Sequence, residues 1–244
     1  MRSSGLFFQK FPVIFTKISL VFLKPWIYDD DREIVTAQKP FQKGWTENMR
    51  KKSHISLARY IVNNMEDNDL KKHKLSFYIG SVLPDIKPSF VYKRHEMDGT
   101  YPDIRRHIER LSEGRKLVEK KKGRKYYMDL GQISHYLADY FTYPHNKIYP
   151  GSLKDHCSYE EKLKRDLRKY IRTDAAKPHK ADHLEFNSAR NLCDFIQKSH
   201  DDYLVRKHDV EDDIHHIVEV NYKAMETMIH LLAEKRPEFR LKHS

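Results

Sequence analysis

Apolar residues recur at helical spacing along most of the chain. Ile55, Leu57, Ala58, Ile61, Val62 and Met65 predict a helix from Arg50 to Met65, with Ser53 as a capping residue. A second helix is expected from about Leu70 to Val82, stopped at Pro84, which cannot continue a regular ladder. A loop through Pro88 and Gly99 follows, and Pro102 is placed to open a helix reaching about Lys120. Between Arg124 and Phe141 two stripes run side by side. Tyr126, Leu130, Ile133, Leu137 and Tyr140 form an apolar one, and Met128, Gln132, His135 and Asp139 a mixed one. Further helices fit Tyr159–Ile171, Asp182–Val205 and Val210–Ala233. The chain shows no internal repeat and no persuasive strand. Six to eight helices are expected.

Composition agrees. Only 8 of 244 residues are glycine, while Lys, Glu and Leu abound, which favours helices over a turn-rich β fold. A hydrophobic content of 39% with 12% aromatics is enough for one substantial core. The fold class expected is therefore all-α: a single multi-helix domain over 42–244, preceded by an arm or anchor over 1–41. Leu6 to Leu23 is apolar, but Lys10, Pro12 and Lys17 interrupt it, so no uncharged run has the length of a membrane span. It also lacks a small-x-small cleavage pattern. A cytoplasmic or peripherally membrane-associated protein is expected over a secreted one.

The net charge of +11 favours anionic partners such as phospholipid headgroups or nucleic acid. Its spread over Lys71–Lys74, Lys120–Lys125 and Lys162–Arg172 is the ordinary pattern of solvated helix faces. Cys157 and Cys193 make no disulfide framework, and a single bridge between them stays open.

The fifteen histidines change the picture more. Residues four apart on a helix lie one turn above each other, so His135 and Asp139 can chelate one ion, and His156 and Glu160 repeat that geometry. His145 lies between the pairs. One His-x3-Asp pair alone is usually a surface helix contact. Two pairs flanking a third histidine within 26 residues point to metal, and imidazole with carboxylate suits zinc. Asp139 stands at an otherwise aromatic and aliphatic helix end, where an unpaired carboxylate would be costly and coordination would offset the cost. His200, His208, His215, His216 and His230 read as surface or core residues, and Asp201, Asp202, Asp212 and Asp213 as charges on exposed helix starts.

The order His54, Leu83-Pro84-Asp85, His95, His135-x3-Asp139-x5-His145, His156-x3-Glu160 resembles the bacterial zinc-dependent phospholipase C family over about residues 45 to 165. The resemblance implies an all-helical fold with metal ions at the base of a cleft. His95, His135 and Asp139 would hold a first zinc, and His145, His156 and Glu160 a second. A third would use His54, the bridging Asp139, and the amino group and carbonyl of Trp45. Asp85 matches the carboxylate that serves as general base.

Two zinc ions are expected, and the third depends on a free amino group at Trp45, which here has 44 residues ahead of it. Ile86 stands where choline-specific members carry an aromatic residue. The activity implied is hydrolysis of a phospholipid or other phosphodiester, met at a peripheral membrane surface. A nuclease-like phosphodiesterase, which would bind nucleic acid, and a non-catalytic membrane-associated zinc protein stay open as alternatives. Nothing in the sequence speaks to oligomeric state.

Overall fold

The computed structural model describes residues 42–86, 95–112, 123–178, 186–206 and 208–234, with 42–51 through their backbone alone. Eight α-helices account for most of them: α1 Gln42–Asn64, α2 Asn68–Lys72, α3 Lys74–Ile86, α4 Met97–Ser112, α5 Gly123–Tyr140, α6 Leu153–Tyr170, α7 Ala189–Leu204 and α8 Val210–Glu234. Single 3₁₀ turns at Tyr143–His145 and Asp174–Ala176 complete the set, and no strand occurs among the described residues. The all-helical expectation holds. The arm over 1–41 lies outside the described residues.

Several boundaries differ from the sequence pattern. α1 begins at Gln42, which makes Ser53 an interior residue and not a cap. The segment expected as one helix from Leu70 divides at His73. There the Asp67 side chain accepts from Leu70 N–H to start α2, and His73 N–H turns back to the Asp69 and Leu70 carbonyls. Pro84 and Pro102 both lie inside helices. Each forfeits one ladder hydrogen bond, yet each sits within a turn or two of a helix end. There the buried residues around it, Val82 and Asp85 in α3 and Tyr101 and Ile104 in α4, hold the helical path.

The core forms where helical stripes meet. Tyr101, Ile104, Ile108 and Leu111 of α4, and Tyr126, Leu130, Ile133 and Leu137 of α5, are all buried. α8 is buried along its length at Ile214, Ile217, Val218, Val220, Ala224, Met228 and Leu231, and it packs on α1, α4, α5, α6 and α7. Tyrosine hydroxyls reach across the core to backbone carbonyls: Tyr126 to Met228, Tyr101 to Cys193 and Tyr60 to Ala176. Both cysteines are free, Cys193 in the core and Cys157 half-buried on α6, so they do not form the bridge that the sequence left open.

Among the described residues, the most extensive helix–helix contact is that of α3 with α5. A Cβ on Gly80 would stand 2.1 Å from the Met128 carbonyl oxygen, and one on Gly131 would stand 2.2 Å from that of Phe77. The two backbones therefore touch at a crossing that admits no side chain on either glycine. Here glycine allows close approach; no unusual torsion is involved.

Asp213 corrects another expectation. It is fully buried in the first turn of α8. It accepts from Tyr143 N–H at 2.8 Å, Tyr159 O–H at 2.9 Å and Tyr203 O–H at 2.7 Å, which ties the 3₁₀ turn, α6 and α7 to α8. Asp201 and Asp202 are exposed as expected, although they occupy the last turn of α7 and not its start. Burial pushes the Asp213 carboxyl up to about 6 in spite of its three donors.

Two outcomes follow from these contacts. Gly131→Ala should destabilise the protein in urea by at least about 2 kcal/mol, because overpacking against backbone outweighs the roughly 1 kcal/mol helix-propensity gain of alanine. A more stable variant would contradict the close crossing. For Asp213, the folded state holds more protons than the unfolded state between about pH 4 and 6, so its contribution to stability falls as pH rises through that window. The unfolding free energy of Asp213→Asn, taken relative to wild type, should rise by up to about 3 kcal/mol from pH 4 to pH 7. A pH-independent difference would contradict the raised carboxyl.

Candidate metal centre

The crossing of α3 and α5 brings Ser81 and Asp85, one turn apart on α3, against His135 and Asp139, one turn apart on α5. His135 Nδ1–H donates to the Ser81 carbonyl at 2.9 Å. That bond fixes Nδ1 as a donor and turns Nε2 toward the carboxylates, the orientation usual for a ligating imidazole. Pro84, on the same helix, has no N–H to return to the Gly80 carbonyl, four residues back. Asp85 is buried, its Oδ1 lies 3.6 Å from His135 Nε2, and its Oδ2 has no hydrogen-bond partner among the described residues.

Asp139 is the junction. Its Oδ2 lies 2.8 Å from His95 Nδ1, just before α4, 3.2 Å from His135 Nε2 and 3.6 Å from His145 Nδ1. Its Oδ1 lies 3.3 Å from His54 Nε2 on α1. His54 stacks on His135 with ring centroids 3.9 Å apart, and the His95 and His135 nitrogens approach to 3.1 Å. All of these side chains except His145, which is half-buried, are buried.

The second histidine–carboxylate group is built by local signals. Ser152 opens α6 with a capping box: its hydroxyl accepts from Asp155 N–H, and Asp155 Oδ2 accepts from Ser152 N–H at 2.9 Å. This fixes the helix start that carries His156 and Glu160, which meet at 2.8 Å. His145 Nε2 reaches the same Glu160 oxygen at 3.1 Å while its Nδ1 faces Asp139, so it stands between the two groups.

The turn bearing His145 is held from both sides. Asn146 Nδ2 donates to the Tyr140 and Thr142 carbonyls, His200 Nε2 donates to Asn146 Oδ1 at 3.0 Å, and Asp213 accepts from Tyr143 N–H. His200 is buried, one of the two outcomes allowed for it, and it works as a brace.

Electrostatics follow from burial and from this convergence. Burial opposes ionisation of Asp139, but His145, His135 and His54 outweigh it and hold the carboxyl well below its ordinary range. Burial likewise opposes the His135 cation, yet Asp139, Asp85 and the Ser81 carbonyl raise it to about 9. His54 shifts the other way, lowered first by burial and then by neighbouring His135. The centre thus concentrates acceptors around a point where positive charge is stabilised.

The donor set fits zinc. Two ligand atoms on a tetrahedral ion with bonds of about 2.0–2.2 Å are about 3.4 Å apart. The nitrogen–oxygen separations around Asp139 and Glu160 run from 2.8 to 3.6 Å. Three donor triads close enough to hold an ion occur among the described residues: His54–His135–Asp139, Asp85–His95–His135 and His145–His156–Glu160. The third coincides with the second zinc set expected from sequence. For the first, both Asp139 and Asp85 lie in reach of His95 and His135. The shorter distances belong to Asp139, since His95 Nδ1 is 2.8 Å from Asp139 and 4.0 Å from Asp85. Trp45 lies in the first turn of α1, where its nitrogen belongs to a peptide bond.

A small cavity of about 20 Å³, enough for one water or ion, is bordered by His54, Asp139, His145 and Glu160. An open cleft of about 430 Å³ reaches His95, His145 and His156 from solvent, past Glu96, Asn146 and Tyr149. No helix among the described residues is long and apolar enough to cross a membrane. The sequence pattern gave no role to Ser81 or Asn146, and it read His200 as a surface or core residue and Asp213 as a charge on an exposed helix start.

No curated protein and no solved structure matched the chain. The family model for zinc dependent phospholipase C matches residues 53–210, which span both histidine–carboxylate groups and Asp85. With that match over more than half its length, the chain belongs to the zinc-dependent phospholipase C family.

Proposed function

We propose that the protein hydrolyses a phospholipid to diacylglycerol and a phosphorylated headgroup, using two zinc ions held by His95, His135 and Asp139 and by His145, His156 and Glu160. The observation that supports this reading is the convergence of His95, His135 and His145 on buried Asp139, with His145 also reaching Glu160 and with His95, His145 and His156 lining an open cleft, while Asp85 is buried beside them. Zinc bound there supplies Lewis acidity toward phosphate oxygens and lowers the pKa of a coordinated water to near neutrality.

The chain's own residues do the rest. Asp85, 3.6 Å from His135 and 4.0 Å from His95, is in position to accept the proton of the attacking water. The new bond forms between that oxygen and phosphorus, the bond from phosphorus to the glycerol oxygen breaks, and the proton taken by Asp85 passes through water to the departing glycerol oxygen. His135, locked by Ser81, and His145, braced by Asn146, keep the donors fixed during this exchange. A third zinc through His54, Asp139 and Trp45 needs Trp45 to become an amino terminus. Ile86, next to Asp85, offers no aromatic face to a quaternary ammonium, so choline is not selected at that position by cation–π contact.

Purified protein should contain at least two zinc equivalents, and Asp139→Asn should lose at least one of them along with most phosphodiesterase activity. Full zinc content in that variant, measured by elemental analysis, would remove Asp139 from its junction role. Asp85→Asn should lower kcat by roughly 10²–10⁴-fold with zinc content and melting temperature nearly unchanged. An unchanged rate would remove Asp85 from the mechanism, and a lost zinc equivalent would assign it to the ligand set.

A further inference from the structure

Two segments carry the residues assigned to the second zinc: the 3₁₀ turn Tyr143–His145, and the start of α6 with His156 and Glu160. Both segments are pinned to one atom. Asp213 Oδ2, on α8, accepts from Tyr143 N–H at 2.8 Å and from Tyr159 O–H at 2.9 Å. Tyr143 stands two residues before His145, and Tyr159 directly precedes Glu160. The other oxygen, Oδ1, accepts from Tyr203 O–H at 2.7 Å and so draws α7 to the same carboxylate. These three bonds go to none of the proposed ligands. Asp213 also lies beyond residues 53–210, the stretch that the family model matches.

A buried carboxylate is a costly way to join helices. Asp213 is fully buried, and burial pushes its carboxyl up to about 6 despite the three donors. Replacing a buried charge by apolar packing is often neutral or stabilising, and α8 packs that way along the rest of its length. Apolar contact does not supply direction, whereas a hydrogen bond holds its partners to a narrow range of distance and angle. The Tyr143 N–H belongs to the main chain of the turn, so holding it holds the backbone that leads to His145. The Tyr143 and Tyr159 rings meet edge-on with centroids 6.2 Å apart, which closes the link between turn and helix.

We propose that Asp213 is a positioning residue for the second zinc: by holding Tyr143 N–H and Tyr159 O–H on one oxygen, it sets the spacing of His145 from His156 and Glu160. The proposal rests on the assignment of that zinc to these three residues. His145 Nε2 and His156 Nε2 stand 3.1 and 2.8 Å from the same Glu160 oxygen. Without the clamp, the turn and α6 shift independently, and a site with three protein ligands loses affinity as its donors spread.

Zinc titration of the full-length protein against a competing chelator tests this, with His156→Ala identifying which equivalent belongs to the second site. In Asp213→Ala that equivalent should bind at least about tenfold more weakly, while the other keeps its wild-type affinity. Asp213→Asn should stay near wild type, because its amide oxygen can still accept from both donors and the Tyr203 hydroxyl can turn to accept from the amide nitrogen. Tyr159→Phe should weaken the same equivalent about threefold, the order of one neutral hydrogen bond. As a control, Tyr101→Phe deletes another buried hydroxyl bond, to the Cys193 carbonyl, and should lower stability without moving either zinc affinity. Wild-type affinity at the second site in both Asp213→Ala and Tyr159→Phe would overturn the proposal, as would an equal loss at both sites. Should Asp213→Ala not fold, Tyr159→Phe set against Tyr101→Phe decides the matter. Undiminished zinc content in His156→Ala would instead overturn the zinc assignment itself, which keeps the two failures apart.

Discussion

The backbone contact between α3 and α5 at Gly80 and Gly131 is the constraint on which the centre depends. Only with the two helices this close does the Ser81 carbonyl reach His135 Nδ1, and only then does Asp85 come within 3.6 Å of His135 Nε2. A wider crossing of about 8–10 Å between axes, the usual range for side-chain-separated helices, would leave the imidazole free to turn and Asp85 apart from it. The site is thus bonded to the packing through backbone atoms, and its precision comes from two residues with no side chain.

Around that crossing, charge and burial are balanced. Asp139 is a buried carboxylate whose cost is offset by four histidines drawn from α1, the segment before α4, α5 and the 3₁₀ turn. Glu160 does the same on a smaller scale with His145 and His156. Asp139 joins its helical neighbour His135 to His54 and His95, which are distant in sequence, so the polar centre ties together helices far apart along the chain. Asp213 supplies a third, structural instance with tyrosines in place of histidines.

Much of this was legible in the sequence because helical spacing is a local property. The stripe from Tyr126 to Tyr140 is buried as its period required, and His135 with Asp139 and His156 with Glu160 meet as i, i+4 pairs should. What escaped was non-local. Pro84 and Pro102 read as punctuation, yet tertiary packing carries both helices through them. Asp213 read as a solvated helix start because nothing nearby in sequence shows that Tyr143, Tyr159 and Tyr203 will converge on it. Gly80 and Gly131 carried no signal either, since a glycine inside a helix looks like a weak helix former until the facing backbone is known. Trp45 and His54 lie in one helix, but whether Trp45 ligates depends on chain processing, which spacing cannot express.

The hydrogen bond from His135 to the Ser81 carbonyl also bears on how the protein handles its metal. The imidazole is aimed by main-chain atoms of a buried helix, so its orientation does not wait for an ion to arrive. Loading therefore resembles a key entering a cut lock more than a clasp that folds around its contents. In such a socket, a divalent ion that prefers another polyhedron would meet at least one imidazole already fixed by the main chain. Discrimination among competing metals would then rest on the rigidity of the α3–α5 pair as much as on the choice of histidine and aspartate.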